Sequence, residues 1–113
     1  MQKRVRCMES AREAVRVSVP TEAVADFCRR HRVREFALFG SVLRDDFTDV
    51  SDVDVLIEPG PEHKHTLDEV LTMQEELETI FGRGVDLVYK DLLDKHMRED
   101  IMSRRRVFYV ATQ

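Results

Sequence analysis

The stretch Phe36 to Glu58, FALFGSVLRDDFTDVSDVDVLIE, constrains the fold of this chain more than any other part of it. Five aspartates fall between Asp45 and Asp54, and the last two open an apolar run. In a strand, residues two apart share a face and lie roughly 6.6 Å apart along it. Asp52 and Asp54 therefore project together with Leu56, while Val53, Val55 and Ile57 face the other way. Two carboxylates so close repel each other, and taking them out of water costs more still. A fold that places them there needs a compensating cation. A basic side chain would serve, but Mg²⁺ is the usual partner of clustered carboxylates beside a phosphate site. Taken alone, Asp-x-Asp also marks the solvated mouth of a strand.

The neighbouring residues sharpen the reading. Glu35 to Phe39 is mostly apolar and predicts a strand ended by Gly40, with a short helix from Ser41 to Arg44. A glycine turn followed by free N–H groups and a hydroxyl suits a phosphate, and the forked guanidinium of Arg44 would reach the same anion. Asp86, in GVDLVYK, lies in a predicted strand whose other residues are apolar, where a charge is out of place. It is either a buried aspartate paired with an arginine or, if its strand lies beside Asp52 and Asp54, a third carboxylate at the same end of a sheet. Three carboxylates there would bridge two Mg²⁺ ions, the arrangement used for in-line phosphoryl displacement.

Around this stretch the chain alternates helices and strands. Pro20 suits a first helical turn, and the helix runs to about His31 with Val24, Phe27 and Cys28 on one face. Asp52 to Glu58 is the second strand, closed by Pro59-Gly60-Pro61. Thr66-Leu67-Asp68-Glu69 has the form of a capping box, and its helix carries Leu67, Val70, Leu71, Leu77 and Phe81 as the expected core side. Val85 to Tyr89 is the third strand. Asp91 to about Arg104 is a helix with Leu92, Leu93, His96, Met97 and Ile101 inward, and Val107 to Val110 a last strand. The expected fold is α/β, a small mixed sheet covered mainly on one face by helices.

At 113 residues there is room for one domain, and 42% hydrophobic with 35% charged residues describes a globular chain with an ordinary core. Residues 1–19 read as a basic N-terminal extension with a helix-compatible run from Glu9 to Val17, and residues 20–113 as the domain. A net charge of −4 argues against strong direct nucleic-acid binding. Cys7 and Cys28 show no framework spacing and read as free thiols of a reducing compartment. With no signal-peptide pattern and no spanning apolar run, the expected location is the cytoplasm.

Gly40-Ser41, ten residues, Asp52-Val53-Asp54, and Asp86 on a later strand resemble the signature of the nucleotidyltransferase superfamily that includes DNA polymerase beta. The short chain is similar to one branch, the minimal nucleotidyltransferases, which act as antitoxins of HEPN-domain RNase toxins. The likeness runs from about Pro20 onward. It implies that Gly40 and Ser41 hold the β- and γ-phosphates of ATP, with Arg44 assisting. It implies that Asp52 and Asp54 bind two Mg²⁺ ions, and that Asp86 shares one metal and acts as base. The implied reaction moves AMP from ATP to a hydroxyl, a tyrosine of the HEPN partner, in a hetero-oligomer. The run Leu43-Arg44-Asp45 departs from the family's Ala-Arg-Gly and puts nucleotide preference in question. Two other readings stand beside this one: an antitoxin that neutralises by contact alone, and an adenylyltransferase of a small molecule.

Other features have plainer readings. His63 and His65 alternate as two metal ligands do, but their loop supplies no third soft ligand, so it reads as a solvated loop or as one lying over the site. Arg104 to Arg106 suit the end of a helix dipole, or an acidic partner. Cys28 reads as a small buried apolar residue.

Overall fold

The structure, a computed structural model, describes residues 18–43, 48 and 51–111. Cys7, Arg44, Asp45 and the run from Glu9 to Val17 lie outside the described residues. Helix α1 spans Thr21–Arg30, strand β1 Val33–Phe39, β2 Val53–Pro59, α2 Leu67–Phe81, β3 Val85–Tyr89, α3 Lys95–Arg104 and β4 Arg106–Val110. A 3₁₀ turn, Gly40–Leu43, follows β1, and another, Lys90–Leu92, follows β3.

The strands form one mixed sheet in the order β3-β2-β1-β4. β1 is antiparallel to both β2 and β4, while β2 and β3 run parallel. Parallel neighbours need a crossover, and α2 supplies it. Alternation along β2 sorts its side chains as expected. Val53, Val55 and Ile57 join Val24, Phe27, Met73, Leu77 and Phe81 under α1 and α2. Leu56 turns the other way, to Ala37 and Ile101, with Leu93 and Met102 from the α3 side. The main core thus lies on one face, and α3 closes a smaller cluster on the other.

Thr66 caps α2 by accepting the Glu69 N–H at 3.1 Å, and Gly82, in the left-handed region at φ 71°, ends it. The reciprocal half of a capping box is not what Glu69 makes; its carboxylate turns to His31 and His63. Two expected faces are corrected. In α2 the buried stripe is Met73, Leu77 and Phe81, and Leu67 and Leu71 are exposed. In the last helical region Asp94 caps α3 by accepting the His96 N–H at 2.9 Å, so α3 starts later than expected. Leu92, His96 and Met97 are exposed there, and Ile101 alone in α3 is buried.

Candidate active site

The C-terminal end of β1 and the N-terminal ends of β2 and β3 meet at one edge of the sheet. Phe39, last in β1, pairs with Asp54, and Asp54 pairs with Asp86. Directly paired positions share a face, so both carboxylates emerge on the Leu56 side, where Leu56 in turn pairs with Val88. Asp52 stands two residues before Asp54. Gly84 stands two residues before Asp86, and its carbonyl accepts the Val53 N–H at 2.9 Å.

Two glycines seat the carboxylates. A Cβ on Gly84 would lie 3.1 Å from Asp52 Cγ and closer still to Oδ1. A Cβ on Gly40 would lie 3.1 Å from Asp54 Cγ and collide with Oδ2. Gly40 is also in the left-handed region, at φ 77°, which turns the chain from β1 into the Gly40–Leu43 turn. Val42 plugs that turn into the core, fully buried. The segment ahead of Asp52 is tethered by Arg83, whose guanidinium donates to the Thr48 and Ser51 carbonyls at 3.0 and 3.1 Å.

The sheet therefore gathers Gly40, Ser41, Asp52, Asp54 and Asp86 at one end. Arg44 lies outside the described residues. Asp86 lies in β3 beside Asp54, but β3 is an edge strand and Asp86 is exposed, so the reading of a buried aspartate paired with an arginine is corrected. Asp52 is exposed too, and Asp54 is half-buried. No charged residue among those described is fully buried. Water on the exposed Asp52 and the space left by Gly40 and Gly84 let the pair stand so close. Among the described residues, the three aspartates are not the group whose ligand atoms come within 4.8 Å of one another; that group is His63, His65 and Glu69.

Beside Gly40 and Asp54 opens a cleft of about 340 Å³, lined by Phe39, Leu43, Met97, Asp100, Ile101 and Arg104. The contribution of α3 to it was missed in the sequence, where Arg104 read as a dipole complement. Its guanidinium meets Asp100 at 2.9 Å, one turn back, in an exposed pair. Arg105, at the end of α3, instead pairs with Glu35 of β1 at 2.6 Å. A second cavity of about 460 Å³ lies at the far end of β1 and β2, lined by Arg29, Arg32, Arg34, Gly60 and His63 among others. It holds none of the aspartates.

A strand, a glycine turn and a second strand opening on paired aspartates, beside a parallel third strand, define a nucleotidyltransferase core. The chain belongs to the nucleotidyltransferase domain family, whose model matches residues 21–108. It is 33% identical to the protein adenylyltransferase MntA of Thermococcus cleftensis over 93 residues, 82% of this chain and 90% of that one. A solved minimal nucleotidyltransferase shares 30% identity with a TM-score of 0.64, covering 75% of this chain and 85% of its own. The Shewanella oneidensis complex of a tri-AMPylated HEPN toxin with its MNT antitoxin matches at 14% identity with a TM-score of 0.59, covering 80% and 70%. At that identity the match concerns the fold alone. Among the described residues no helix is long and apolar enough to cross a membrane.

Proposed function

We propose that this chain transfers AMP from ATP to a side-chain hydroxyl, a tyrosine of a HEPN-type partner, and so acts as an antitoxin. The observation that carries the proposal is the seating of Asp52 against Gly84 and of Asp54 against Gly40, with Asp86 paired to Asp54. The similarity to an adenylyltransferase over most of both chains supports AMP as the group moved.

The site fits Mg²⁺. Its donors are hard carboxylate oxygens, and the glycine seats leave the space a Cβ would fill. Asp52, Asp54 and Asp86 would hold the metal, which when bound offsets charge on the triphosphate and the leaving group. Gly40 and Ser41 hold the β- and γ-phosphates through N–H groups of the turn and the serine hydroxyl, and Arg44 assists. Asp86 takes the proton of the acceptor hydroxyl. The hydroxyl oxygen bonds to the α-phosphorus, the bond from that phosphorus to the bridging oxygen breaks, and pyrophosphate leaves. Asp86 is exposed, which leaves room for a protein acceptor to reach it.

The test is transfer of α-labelled ATP into the co-expressed partner with Mg²⁺, wild type beside Asp54→Asn. Label in the partner from wild type only is the expected result. Equal label from both refutes the role of Asp54. Protection of cells by Asp54→Asn as good as by wild type would favour neutralisation by contact.

A further inference from the structure

At the opposite end of β2 and β3 the loop after β2 folds back onto α1 and α2. His63 and His65, which the sequence left without a third ligand, meet Glu69 from the first turn of α2. One ligand atom from each comes within 4.8 Å of the others. We propose that His63, His65 and Glu69 form a binding site for a transition-metal dication of the zinc type, separate from the aspartate end of the sheet. The inference does not depend on the transferase reading.

The surrounding hydrogen bonds are those a metal site needs. His65 Nε2 lies 2.7 Å from the His31 carbonyl. A carbonyl only accepts, so Nε2 carries the proton, and in the neutral ring Nδ1 keeps its lone pair. Metal-bound imidazoles are oriented in this way, by a backbone carbonyl on the nitrogen away from the ion. In the absence of metal, the Tyr89 hydroxyl occupies that lone pair at 2.7 Å.

Glu69 is divided between two partners. Oε2 faces His31 Nδ1 at 3.2 Å, and Oε1 faces His63 Nε2 at 3.1 Å. His31 in turn meets Glu76 at 3.0 Å, which fixes its ring. Tetrahedral zinc with bonds near 2.1 Å sets its ligands about 3.4 Å apart. His63 and Glu69 already stand at that separation, and His65 lies within 4.8 Å of both. Two imidazoles and one carboxylate suit zinc, nickel or cobalt, whereas magnesium prefers an all-oxygen set. His63 also lines the 460 Å³ cavity, which gives the ion an entry path and leaves room for a water as fourth ligand.

The test is a Co²⁺ titration of tag-free protein without nucleotide, followed by the visible ligand-field bands of tetrahedral cobalt and displacement by Zn²⁺. The expected result is one ion per chain. Binding should weaken at least tenfold in His65→Ala and in Glu69→Gln, with circular dichroism reporting that both variants fold. The Asp52→Asn/Asp54→Asn double variant should keep the bands. Absence of tetrahedral bands in wild type overturns the proposal. So do bands that survive His65→Ala and Glu69→Gln but vanish in the double aspartate variant.

Discussion

Gly84→Ala separates the chemistry of the aspartate end from the folding of the chain. Gly84 is outside the left-handed region, so its backbone accepts alanine without strain. Its carbonyl would still take the Val53 N–H that joins β2 to β3. The new Cβ meets one obstacle, the Asp52 carboxylate, whose Cγ it would approach to 3.1 Å. That carboxylate is the free end of an exposed side chain, and it can rotate away for about 1 kcal/mol or less. In a domain of this size such a cost lowers Tm by about 5 °C at most. The same rotation moves a proposed metal ligand by about 1 Å, and a displacement of that order costs about 10²-fold in rate. The barrier would rise by about 2.7 kcal/mol. The assay is kcat/KM for AMP transfer to the partner, read beside thermal unfolding of the same preparation. Activity within threefold of wild type, with Asp52→Asn inactive, would refute the idea that Gly84 places Asp52. Loss of folding would refute the idea that the side chain absorbs the collision. Gly40→Ala makes the contrast: its φ of 77° adds about 1–2 kcal/mol of backbone strain to the clash with Asp54, so stability and activity should fall together.

Two further outcomes follow from the packing and the ion pairs. Leu56→Ala empties a nearly solvent-free position between Ala37 and Ile101 and should cost about 3 kcal/mol in urea unfolding, whereas Leu71→Ala, on the exposed face of α2, should stay within about 0.5 kcal/mol. The Arg30 guanidinium holds the Glu76 carboxyl below its ordinary 4.5, against the opposing effect of burial and with help from His31. A carboxyl depressed in the folded state contributes stability that is present above 4.5 and lost as the pH falls through its folded value. Glu76→Gln should therefore be less stable than wild type at neutral pH, and the gap should shrink as the pH drops below 4.5, measured by denaturant midpoints across that range.

What was legible in the sequence was what neighbours along the chain decide. Alternation in Val53 to Ile57 fixed which face Asp54 shares with Leu56, and the turn residues placed the strands to within about two residues. The choice of face on α2 was not legible, because its apolar residues cover more than one side. Leu67-Leu71 and Met73-Leu77 are equally regular stripes, and only packing against the sheet buries one of them. Asp94 before Lys95 was a readable cap, yet the leucines ahead of it drew the expected helix too far upstream. The seat of Asp52 depends on Gly84, some thirty residues away, and no local pattern joins the two. Glu69 read as a capping partner, and only the fold back onto α1 turned it toward the histidines. The exposure of Asp86 follows from strand order, which no local pattern encodes.

The strand order also separates the aspartate end from the strand that closes the sheet. The elements that hold both aspartate seats, β1, the glycine turn, β2, α2 and the start of β3, all precede β4 along the chain. β4 comes last and covers the other edge of β1. A chain whose β4 has not docked thus holds its aspartates on a sheet whose β1 still offers open backbone groups to any passing strand. Arg106 to Val110 act as the closing latch: until they pair with β1, the aspartate end is assembled while an adhesive edge stays open.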